Sequence, residues 1–63
     1  PITKEQKVLE IGSGCGPITG VLARKAKSVT CIDLSKMRST INAYRNRECD
    51  NVKIMVGNFQ DGE

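Results

Sequence analysis

Close to the start of the chain, Gly12-Ser13-Gly14-Cys15-Gly16 sets three glycines at alternate positions. A residue without a Cβ permits backbone torsions closed to other residues and lets a ligand come up against the main chain. One acid, Glu10, stands two residues before this run, and a second, Asp33, follows Gly12 by 21 residues. A carboxylate at that separation, if it sits at the tip of a second strand, can accept hydrogen bonds from both hydroxyls of a ribose. Glycine run and acid together point to an adenosine-containing ligand. The pair Asn58-Phe59, an amide followed by an aromatic ring, is the remaining candidate.

These residues need elements to bring them together, and the pattern of apolar residues supplies them. Lys7 to Ile11 reads as a strand, since Val8, Leu9 and Ile11 form a short apolar run that stops at glycine. Pro17 suits a first helical position, and Ile18, Val21, Leu22 and Ala26 recur at helical spacing, which predicts a helix from about Pro17 to Lys27. Val29 to Ile32 is a second strand ending at Asp33, after which Ser35 can cap a second helix. Leu34, Met37, Ile41 and Tyr44 share one side of that helix and are expected to be core or helix-face residues; the helix ends within the polar stretch 46–51. Val52 to Val56 makes a third strand, closed by Gly57.

The order is β-α-β-α-β, which implies a parallel sheet. Right-handed crossovers then give the strand order 3-2-1 with both helices on one face, half of a doubly wound Rossmann-like α/β fold in a single partial domain over residues 1–63. Ligands of such sheets bind outside the carboxyl ends of the strands, where Glu10, Gly12 to Gly16, Asp33 and Asn58-Phe59 all fall.

The glycine spacing separates two kinds of ligand. A dinucleotide turn has G-x-G-x-x-G, but Pro17 stands where its third glycine belongs, and the chain reads G-x-G-x-G after an acid. The segment VLEIGSGCG resembles the first signature motif of class I S-adenosylmethionine-dependent methyltransferases, VTCIDLS their ribose-binding segment, and VGNFQD their adenine-binding segment. The resemblance runs from Val8 to Asp61 and identifies the chain with the N-terminal, cofactor-binding half of that fold. It implies that Gly12, Gly14 and Gly16, with Ser13 among them, line the methionine part of the cofactor, and that Glu10 helps to hold its amino group, often through water. It further implies that Asp33 binds the ribose, that Leu34 and Phe59 flank the adenine, and that Asn58 meets the exocyclic amine. The family more often has Asp at this last position, though Asn still accepts through its carbonyl oxygen. S-adenosyl-L-methionine is then the cofactor of a methyl transfer that works through proximity and orientation. The acceptor stays open among small molecules, sugars, protein and RNA. The alternatives are a non-catalytic module or truncated fragment that binds an adenosine cofactor, and, less favoured because of Pro17, a fragment of an NAD-binding oxidoreductase.

Sixty-three residues, of which 38% are hydrophobic and two aromatic, allow one small domain with a thin core. No run approaches a membrane span and no secretion signal opens the chain, so a cytoplasmic location without membrane contact is expected. The net charge of +3 comes partly from Arg24, Lys25 and Lys27 and from Arg38, Arg45 and Arg47, both groups expected near helix C-termini; a nucleic-acid surface is the alternative. Cys15, Cys31 and Cys49 have no C-x-x-C spacing and no histidine beside them, which argues against a zinc site or a disulfide framework. Cys15 reads as a small residue beside the cofactor. With the first strand at an edge and one sheet face uncovered, a homodimer through that edge or the remainder of a larger chain is expected to complete the structure.

Overall fold

The computed structural model describes residues 1–57, so the candidate residues Asn58 and Phe59 lie outside the described residues. Five elements follow in order: β1 (Lys7–Ile11), α1 (Thr19–Lys25), β2 (Ser28–Asp33), α2 (Lys36–Arg45) and β3 (Val52–Val56). The strands form one parallel sheet in the order β1-β2-β3, the expected 3-2-1 counted from the other edge. Ile11, Ile32 and Met55 pair across the sheet in one row. All three strands therefore stop together, and Gly12, Asp33 and Gly57 meet at one carboxyl edge. Backbone bonds knit this edge: the Gly12 N–H donates to the Ile32 carbonyl at 2.7 Å and the Gly57 N–H to the Asp33 carbonyl at 2.9 Å.

Alternation along the strands gives the sheet two unlike faces. The helices cover the face that carries Val8, Val29, Cys31, Val52 and Ile54, with Ala23 and Ala26 packed against it. Leu9, Ile11 and Met55 point the other way and stay about half exposed. The buried core is accordingly made of small side chains, Ala23, Ala26, Val29 and Cys31.

Both helices depart from their expected faces. α1 begins at Thr19 and ends at Lys25, shorter than Pro17 to Lys27. Pro17 lies in the preceding turn, and the helix opens where the Leu22 N–H reaches the Ile18 carbonyl at 3.0 Å. Its buried side is Thr19, Gly20, Ala23 and Ala26, while Ile18 and Val21 are exposed. Small residues let a helix lie close to its neighbours: a Cβ on Gly20 would come within 2.6 Å of the Asn46 Oδ1. At the other end of α1, the Asn51 side-chain amide donates to the Ala23 carbonyl at 2.8 Å and to those of Ala26 and Lys27 at 3.4 and 3.3 Å, satisfying groups that a helix C-terminus leaves free.

α2 is capped by Ser35, whose hydroxyl accepts the Arg38 N–H at 3.1 Å. Its side of Leu34, Met37, Ile41 and Tyr44 faces outward, Met37 and Tyr44 being 73% and 68% exposed. The buried positions are Ser39 and Asn42; Asn42 bonds to residues of the glycine turn and of α1, while the Ser39 hydroxyl is buried without a hydrogen-bond partner among the described residues. Arg38 lies in the first turn of α2, not near its C-terminus; the basic residues of last turns are Arg24 and Lys25 in α1 and Arg45 in α2. Arg47 donates to the Tyr44 carbonyl at 2.8 Å and lies 4.2 Å over the Tyr44 ring, a cation–π contact. Among the described residues, no helix is long and apolar enough to cross a membrane.

Candidate functional site

The glycine turn, residues 12–16, is held from two sides. On its front is Asp33, the last residue of β2, only 7% exposed. Its Oδ1 accepts the Ser35 N–H and its Oδ2 the Gly14 N–H, each at 2.8 Å. These two bonds, that from Ser35 first, hold the Asp33 carboxyl below the usual carboxylate range; the Arg38 charge adds to them, and burial opposes them. A carboxylate oxygen has two acceptor positions, so each still has one for an incoming hydroxyl. Gly14 presents its N–H to Asp33 from a left-handed backbone, φ +60°. A Cβ built on Gly12 or Gly14 would meet nothing within 4 Å, so the main chain here borders open space.

The back of the turn is filled. Gly16, at φ +88°, is buried, and a Cβ there would lie 2.5 Å from Asn42 Cγ and 2.8 Å from Asn46 Nδ2, with Asn42 Oδ1 closer still. Asn42 is wholly buried. Its Nδ2 donates to the Thr19 hydroxyl at 3.3 Å and to the Ser13 hydroxyl at 3.5 Å, and its Oδ1 accepts Asn46 Nδ2 at 2.7 Å. Asn46 Nδ2 also donates to the Gly16 carbonyl at 3.2 Å. The Thr19 hydroxyl in turn donates to Glu10 Oε1 at 2.5 Å. The Cys31 thiol lies 3.5 Å from the same oxygen. Burial above all pushes the Cys31 thiol up, with Glu10 acting the same way and the Thr19 bond opposing, so Cys31 stays a neutral donor.

The structure thus gathers Glu10, the turn and Asp33 at the carboxyl edge, but in different settings. Gly12 and Gly14 border open space, while Gly16 packs against α2 and the Ser13 side chain turns back towards Asn42. Leu34 stands 72% exposed just beyond Asp33, and Cys15 is a half-buried free thiol. Sequence reasoning missed Thr19, Asn42 and Asn46. Their signal was present: Ser39, Asn42 and Asn46 are uncharged polar residues at helical spacing, a stripe that a buried polar face requires and an exposed one does not.

Comparison with known proteins gives the family and the fold. The family model for protein-L-isoaspartate(D-aspartate) O-methyltransferase matches residues 1–63. The ribosomal RNA small subunit methyltransferase A of Leuconostoc mesenteroides is 39% identical over 54 residues, which cover 86% of this chain and 18% of that protein. The probable counterpart from Methanosarcina mazei is 34% identical over 56 residues, or 89% of this chain and 21% of that one. The chain thus spans about a fifth of the length of the curated relatives it matches. Among solved structures, phosphoethanolamine N-methyltransferase 1 of Haemonchus contortus, in complex with phosphoethanolamine and S-adenosylhomocysteine, superposes with a TM-score of 0.88 at 31% identity, over 92% of this chain and 12% of that one. A dimethyladenosine transferase from Plasmodium falciparum gives 0.86 at 30% identity, over 90% and 22%. With a match along its whole length, the chain belongs to the protein-L-isoaspartate(D-aspartate) O-methyltransferase family, among the class I S-adenosylmethionine-dependent methyltransferases.

Proposed function

We propose that this chain forms the S-adenosylmethionine-binding part of a methyltransferase. The observation that carries this reading is the front of the turn: open space against Gly12 and Gly14, bounded by a carboxylate that keeps acceptor positions free. Asp33 takes the two ribose hydroxyls, the bare main chain of Gly12 and Gly14 admits the methionine part, and Glu10 attracts its ammonium group. Leu34 covers one side of the adenine; the roles that the resemblance gives Phe59, on its other side, and Asn58, at its exocyclic amine, fall outside the described residues. When bound, the cofactor supplies an electrophilic methyl on a sulfonium. The residues of this chain hold that group in a fixed direction and so act through proximity and orientation.

The acceptor, a nucleophile on a small molecule, sugar, protein or RNA, is held by other segments. The rRNA methyltransferases among the relatives favour RNA. The 63 residues by themselves bind the cofactor weakly and transfer no methyl. β1 pairs on one side only among the described residues, and a further strand, from the same polypeptide or from a second copy, adds at that edge. Calorimetric titration of the whole protein with S-adenosylmethionine and, separately, with NAD tests the cofactor: binding of the first alone is expected, and binding of NAD alone would refute the reading.

A further inference from the structure

The hydrogen bonds behind the turn run in one direction. Asn46 donates to Asn42, Asn42 to Thr19, and Thr19 to Glu10, where the chain ends on a carboxylate. Asn42 cannot reverse its amide without setting donor against donor at Asn46 Nδ2 and acceptor against acceptor at Thr19, whose proton goes to Glu10. Thr19 and Asn42 are wholly buried, so no solvent competes for these groups. At the end of the chain both the Thr19 hydroxyl and the Cys31 thiol take the same Glu10 oxygen, Oε1. Among the described residues nothing takes Oε2, which is left as the acceptor.

We propose that Asn46, Asn42 and Thr19 are positioning residues that fix the Glu10 carboxylate so that Oε2 meets the ammonium group of the cofactor's amino-acid part. α2, which packs behind the turn through Asn42, thereby governs recognition of the methionine end. The inference rests on the cofactor reading above. It predicts a selective effect: losing the relay weakens ligands that carry the amino acid and spares those that lack it. A merely structural role would weaken both alike.

The test is a calorimetric comparison of S-adenosylmethionine with 5′-methylthioadenosine, which has the adenine and ribose but no amino-acid part, on the whole protein. Thr19→Val keeps the side-chain shape and removes the hydroxyl. It is expected to weaken S-adenosylmethionine by about tenfold while 5′-methylthioadenosine changes less than about twofold, and Thr19→Ser restores the wild-type ratio. Because Thr19 and Glu10 act through one contact, Thr19→Val added to Glu10→Gln produces little further loss. Should Thr19→Val fail to fold, Asn46→Ala, at a half-buried position, serves instead, with a smaller shift of the ratio in the same direction. An unchanged ratio in the folded variant overturns the positioning role. Failure of wild type to bind either nucleoside overturns the cofactor reading instead.

Discussion

The two sides of the glycine turn use the same residue type for opposite purposes. On the front, Gly12 and Gly14 have no Cβ because space is being kept open; on the back, Gly16 has none because Asn42 and Asn46 already occupy the place. The front faces a carboxylate that accepts backbone N–H groups, and the back a chain of buried amides and hydroxyls. A glycine motif read as one unit is therefore two devices: an exposed stretch of main chain bordering open space, and a packing joint that holds it in place.

Substitution should separate them. The largest effect is expected from Gly16→Ala, which adds a methyl against the buried Asn42 and strains a residue at φ +88°. Overpacking and left-handed strain together predict a loss of about 2–5 kcal/mol, read as a lowered midpoint in urea unfolding of the whole protein. Gly14→Ala meets no neighbour, so only the strain at φ +60° remains, about 1–2 kcal/mol in the same measurement. Its methyl enters the open space, however, and S-adenosylmethionine affinity is expected to fall by about tenfold or more, since a bound ligand there has little room to shift. Equal destabilisation by the two substitutions would erase the distinction between front and back.

The elements were legible in the sequence because short apolar runs stopped by glycine and acid mark strands wherever they occur. Asp33 was legible through its distance from Gly12, and Ser35 through its place before a helix. The buried faces of both helices were not. Apolar periodicity locates a face buried in an apolar core, but α1 packs through glycine, alanine and threonine, and α2 through serine and asparagine. Leu34, Met37, Ile41 and Tyr44 look like a core stripe and face outward. The bond from the Gly14 N–H to Asp33 escaped notice, since no spacing rule ties a carboxylate to a turn 19 residues away, whereas that from the Ser35 N–H is the i, i+2 bond that Asp side chains commonly accept.

The smallest effect expected is one of pH. The Asp33 carboxyl lies below its ordinary range in the folded chain, so its contribution to stability is present above the unfolded value, about 3.9, and is lost as pH falls through the folded value. Urea midpoints measured from pH 6 to pH 2.5 should fall less steeply at the acid end for Asp33→Asn than for wild type. Parallel curves would mean that the front of the turn is not held by this carboxylate.

The most direct test of the site compares S-adenosylmethionine affinity in the whole wild-type protein and in Asp33→Ala, side by side by calorimetry, with circular dichroism confirming the fold. If the front of the turn holds the adenosyl group, the variant binds more than about tenfold more weakly, as expected when charge-assisted bonds to ribose hydroxyls are lost. Affinities within twofold of each other, with the fold intact, would contradict the assignment of Asp33 and of the site built around it.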